Sequence, residues 1–158
     1  MTDNYIGIMI ESLRRKKDVL TDILKLSEEQ SLLLDDPNLE PDTFEKNVNR
    51  KAALIDKLEQ LDTGFESLYD KVKEELESNR DIHKEQIRQM QELIRALTEL
   101  NVQIQATEAR NKEKATAKFA YIRQQAKEIR SSQKIVKEYY NNMMHKAYNE
   151  PHFLDNKK

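Results

Sequence analysis

LIDKLEQLDTGFESLYDKVKEEL, residues 54–76, sets Leu54, Leu58, Leu61, Phe65, Leu68, Val72 and Leu76 three or four residues apart, with charged groups between them. Apolar side chains at that spacing line one face of an α-helix and leave its other faces to water. Gly64 interrupts the stretch, and a glycine inside a helix costs about 1 kcal/mol relative to alanine. The stripe nevertheless continues in phase beyond it, which predicts close packing of Gly64 against a neighbour rather than a helix end.

Upstream, this helix should begin near residue 42, because DDPNLEPD (residues 35–42) holds Pro37 and Pro41, which cannot continue helical hydrogen bonding. Before that break, Ile6, Ile10, Leu13, Leu20, Leu24 and Leu34 repeat at helical spacing and predict a first helix over about 3–34. Lys17, Ser27 and Ser31 fall where the spacing expects apolar groups, so that seam is imperfect. Downstream, ESNRD (residues 77–81) supplies capping residues for a turn and ends the second helix near 78.

A third stripe follows at Ile82, Ile87, Met90, Ile94, Leu97, Leu100 and Ile104. Large apolar residues then vanish until Phe119, with only alanines between. Beyond the gap, residues 119, 122, 126, 129, 133, 136, 140, 143 and 147 resume a heptad-like spacing broken once, at Gln133. Two arrangements fit: one helix over 81–147, about 100 Å long, or two helices with a break near 107–113. The lack of Gly and Pro in the gap favours the uninterrupted helix. The fold class is therefore all-α, an elongated antiparallel bundle or coiled coil of three long helices, the last either extended or split into a fourth. Residues 1–150 read as a single domain, and 151–158, opening on Pro151, as a flexible tail.

Composition supports this reading and narrows the function. The chain has 158 residues, 35% of them charged, with two glycines, three prolines and no cysteine or tryptophan. So few turn formers leave little room for a sheet-rich enzyme. No thiolate metal site or disulfide can form, and no glycine-rich phosphate loop or supported nucleophile is present. His83, His145 and His152 lack the spacing of helical metal sites. The expectation is a protein without enzyme activity, metal or cofactor. No apolar run approaches the ~20 residues of a membrane span, and the N-terminus lacks the order of a secretory signal, so a cytoplasmic location is expected.

Charge is unevenly placed. Residues 1–79 carry 11 basic and 19 acidic groups, and residues 80–158 carry 16 and 10. Arg123, Lys127, Arg130, Lys134 and Lys137 each follow a stripe position by one residue, forming a basic border to the last apolar face. Such borders select an acidic partner helix. Nucleic acid is disfavoured by a pI near 6.0 and by the absence of a recognised binding fold. The stripe itself broadens toward its end in KIVKEYYNNMMHKAY, residues 134–148. Its candidate partner-binding residues are Phe119, Ile122, Ala126, Ile129, Val136, Tyr139, Tyr140, Met143, Met144 and Tyr148, adaptable anchors for a helix laid in a groove. A homodimer through the same stripe, or packing within the chain's own bundle, would also cover it.

LTDILKLSEEQSLLL (residues 20–34) followed by RKAALIDKLEQLDTGF (residues 50–65) resembles the FlgN family of flagellar export chaperones. Its Lys-x-x-Leu-Ile-x-x-Leu-x-x-Leu-Asp run is matched by Lys51, Leu54, Ile55, Leu58, Leu61 and Asp62, and the likeness extends over roughly residues 5–147. The resemblance implies binding of hook-associated proteins through their terminal helical segments, and delivery of them to the flagellar type III export apparatus, without ATP hydrolysis. It also implies that client binding lies toward the C-terminus, in the region from Phe119 to Tyr148. A structural coiled-coil oligomer or a helical adaptor is the alternative reading of the residues alone.

Overall fold

The computed structural model describes residues 2–125 and 136–143. Three long helices follow in order, α1 (Thr2–Asp35), α2 (Pro41–Ser78) and α3 (Lys84–Gln125). A fourth helical segment, α4, covers residues 136–143, and no strand occurs among the described residues. The chain is all-α, as its periodicity predicts. Local chemistry accounts for the ends. Pro41 occupies the first turn of α2, where its missing N–H would have no helical partner in any case. The last turn of α1 has no basic residue of its own. Lys118 of α3 supplies the charge there, donating to the carbonyls of Leu34 and Asp36. At the end of α2, Asn79 Nδ2 donates to Glu75 Oε1 (2.8 Å), and His83 Nε2 lies 2.9 Å from Glu75 Oε2. These hydrogen bonds, that from His83 foremost, hold the Glu75 carboxyl below its usual pKa.

Cross-helix bonds give the directions. Gln30 meets Asn47 and Lys16 meets Asp62, so α2 runs antiparallel to α1. Ser27 meets Glu108 and Lys114 meets both Ser31 and Asp35, so α3 runs parallel to α1. Helix α1 packs along both of the others. Its inner face repeats three and four residues apart through Ile6, Met9, Leu13, Lys16, Leu20, Ile23, Ser27, Gln30 and Leu34, every one of them buried. That is a heptad seam with three polar members.

The seam of α2 is rotated from the expected one. Its buried line passes through Phe44, Val48, Lys51, Ile55, Leu58, Phe65, Val72 and Leu76, while Leu54, Leu61 and Leu68 are half-buried and pack against the core from the side. Lys51 holds a central position because its charge is paired inside the bundle. A reading based on apolarity therefore slides one residue toward the leucines. Gly64 is a second correction. It is exposed, and a Cβ built on it would meet nothing within 4 Å, so no neighbour packs closely there.

The third region departs most from expectation. Helix α3 runs unbroken through residues 107–113, so the gap in large apolar residues is not a helix break. Nor does one straight helix continue to residue 147. Tyr140 Oη lies 2.5 Å from the backbone carbonyl of Glu108, whereas 32 residues of helix would separate the two by about 48 Å. The α4 segment instead lies beside α3. The tail assigned to 151–158 is outside the described residues.

Replacing Gly64 by alanine should raise the stability of the folded chain by about 1 kcal/mol, since the methyl group meets no neighbour and alanine is the better helix former. Urea unfolding of the two proteins measures this directly.

Candidate functional site

The last part of α3 is positioned by a polar layer set across the bundle. Ser27 and Gln30 come from α1, Asn47 and Lys51 from α2, and Glu108 and Asn111 from α3; all six are buried. Each sits on a core-facing position of its heptad, so helix formation alone turns it inward. Lys51 Nζ contacts Glu108 Oε1 and lies 3.2 Å from Gln30 Oε1. Ser27 Oγ lies 2.5 Å from the same Glu108 oxygen. Gln30 Nε2 donates to Asn47 Oδ1 (3.1 Å), and Asn47 Nδ2 donates to the Leu26 carbonyl (2.9 Å). Asn111 Nδ2 donates to the Ser27 carbonyl (2.8 Å) and to Gln30 Oε1 (3.2 Å). Burial pushes the Lys51 ammonium pKa down, and the Glu108 carboxylate opposes that push.

The layer occupies the apolar gap after Ile104. Sequence reasoning registered Ser27 and the gap only as defects in a seam. The signal that could have found the layer is coincidence: polar residues at core heptad positions on three helices come level once α2 reverses. Among the described residues no group of three or more His, Cys, Asp or Glu side chains is placed to hold a metal ion. The layer fixes how the helices slide against one another, and so where the end of α3 and the α4 segment stand.

Those two elements carry the described part of the expected docking stripe. Phe119 is buried, its ring edge-on to Phe44 of α2 at 6.2 Å and 84°. Ile122 is half-buried against the core. On α4, Tyr140 and Met143 are each 2% exposed and Val136 is half-buried. Tyr139, at the edge of that face, is 41% exposed. Arg123 and Lys137, from the basic border, are both exposed. The structure thus brings Phe119, Tyr140 and Met143 into the bundle's own core and leaves Tyr139, Arg123 and Lys137 outside. Ala126, Ile129, Met144 and Tyr148, with Lys127, Arg130 and Lys134, lie outside the described residues. The apolar cleft of about 180 Å³ between Phe65 and Tyr69 of α2 and Ile87, Met90 and Ile94 of α3 sits by the α2–α3 turn, away from this region.

The sequence matches the FlgN family, described as FlgN protein, over residues 1–150. No curated protein and no solved structure matches it. No described helix is long and apolar enough to cross a membrane.

Because a buried charge left alone is costly, Lys51→Met should lower stability by about 3–5 kcal/mol, while the double substitution Lys51→Met with Glu108→Met should recover most of that loss. Chemical denaturation of the wild type, both single variants and the double variant gives the coupling. Additive losses would show that the pair does not act as a unit.

Proposed function

The chain belongs to the FlgN family of flagellar export chaperones, not a known family of enzymes, and we propose that its clients are hook-associated proteins. In this reading the protein works in the cytoplasm. It holds the terminal helical segments of its clients, keeps them soluble and unassembled, and hands them to the flagellar type III export apparatus. The family match over nearly the whole chain carries the proposal.

Client capture is assigned to the region from Phe119 to Tyr148. Within its described part, Arg123 and Lys137 supply exposed positive charge and Tyr139 an exposed ring. That combination suits an amphipathic helix with an acidic border: apolar contact supplies affinity and the charged edges choose the partner. No step of the cycle needs a reacting group in this chain, since holding and release are binding equilibria.

The test is binding of purified hook-associated proteins, followed by light scattering for client aggregation and calorimetry for affinity. A stoichiometric complex that suppresses aggregation is expected. Reversing both exposed charges, Arg123→Glu with Lys137→Glu, should weaken that complex by about tenfold at low salt, with less difference at high salt. The thermal unfolding of the free chain should not change. Equal affinity of the wild type and the reversed variant would remove the charged border from the recognition surface.

A further inference from the structure

The polar layer carries two acceptors that its own donors do not reach. Glu108 Oε2 and Asn111 Oδ1 are buried and have no hydrogen-bond partner among the described residues. A buried oxygen left in that state is costly, and native cores supply such atoms with a donor. Neither orphan is a matter of how an amide is turned. Asn111 Nδ2 faces two oxygens, the Ser27 carbonyl at 2.8 Å and Gln30 Oε1 at 3.2 Å, so turning the amide over would set oxygen against oxygen. Gln30 is locked in the same way. Its Oε1 receives Lys51 and Asn111, and its Nε2 donates to Asn47 Oδ1, whose own Nδ2 is engaged with the Leu26 carbonyl.

The remaining donors can be followed one by one. The Ser27 hydroxyl has a single proton, placed between Glu108 Oε1 and the Ile23 carbonyl. The Lys51 ammonium has three N–H groups, and two of them meet Glu108 Oε1 and Gln30 Oε1. The third has no acceptor among the described residues. These three unused groups lie together. Glu108 and Asn111 are one turn apart on the inner face of α3, and both reach Ser27. Lys51 touches the other oxygen of the same carboxylate and shares Gln30 Oε1 with Asn111. There is room between the helices as well: α1 packs closely along α2 and along α3, whereas α2 and α3 meet through long side chains.

We propose that the layer holds one buried water molecule, which donates to Glu108 Oε2 and to Asn111 Oδ1 and accepts the third N–H of Lys51. Water has the valence the site requires, and a buried water ordinarily makes about three such bonds. A monovalent cation would match the two oxygens but would stand against the Lys51 ammonium. The water joins α2 to α3 at Asn111, where the protein's own side-chain bonds reach only α1. The site stands independently of what the chaperone binds.

A high-resolution crystal structure of the intact chain, from crystals grown with a rubidium salt, tests this. The expected result is a density peak without anomalous signal, about 2.7–3.2 Å from both oxygens and from Lys51 Nζ. An anomalous peak at that place would put a cation there, and direct contact between the two oxygens would mean that they share a proton; either result overturns the proposal, as does a site with no density. In solution, oxygen-17 relaxation dispersion counts the waters held longer than the chain takes to tumble. The count should fall by about one in the Lys51→Met, Glu108→Met double variant, which leaves the water only Asn111 as a partner, fewer than a buried water needs. An equal count in the two folded proteins would overturn the proposal.

Discussion

The contact between Lys51 and Glu108 constrains everything around it. Both side chains are almost completely withdrawn from water, at 1% and 2% exposure, and a charge so placed without its partner costs several kcal/mol. A helix can slide by a heptad past its neighbour and still match leucine to isoleucine, because apolar contact is nearly indifferent to which methyl meets which. Lys51 and Glu108 are not indifferent. They permit the one register of α2 against α3 in which each finds the other, and Gln30, Asn47, Ser27 and Asn111 bind α1 to that register through hydrogen bonds. The layer adds little net stability over an apolar core of the same shape; its effect is to exclude alternatives.

Register matters here because the end of α3 and the α4 segment stand where the layer puts them. Lys114 and Lys118 reach the C-terminal end of α1 only when Glu108 is level with Ser27, and the Phe44–Phe119 contact closes the same end of the bundle. Tyr140 then docks on the backbone of the layer itself. The family's function is to hold other proteins rather than to transform them.

Much of the architecture was legible in the sequence because helical periodicity and the positions of proline are local signals. The first two helices end within a residue or so of where the pattern and Pro37, Pro41 and the Ser78-Asn79 pair place them. What escaped was whatever depended on two helices at once. Lys51 and Asp62 look like surface residues until Glu108 and Lys16 stand opposite them. For the same reason Leu54, Leu61 and Leu68 appear to be the seam when they are its flank. The gap after Ile104 looks like a weak helix because its buried contacts are polar. The stripe from Phe119 was found by its spacing, but spacing cannot tell whether an apolar face meets its own bundle or a partner. For Phe119, Tyr140 and Met143 the structure shows the bundle.

The most direct test is a distance. The chain has no native cysteine, so thiols introduced at exposed Ala109 and Tyr139 would carry the only spin labels. With α4 folded back beside α3, pulsed electron resonance on the free protein should give a separation within about 25 Å, the span of two packed helices with their labels. A separation near 45 Å, the length of 30 residues of continuous helix, would mean that the last helix runs straight on, and would contradict both the inward-facing stripe and the account built on it.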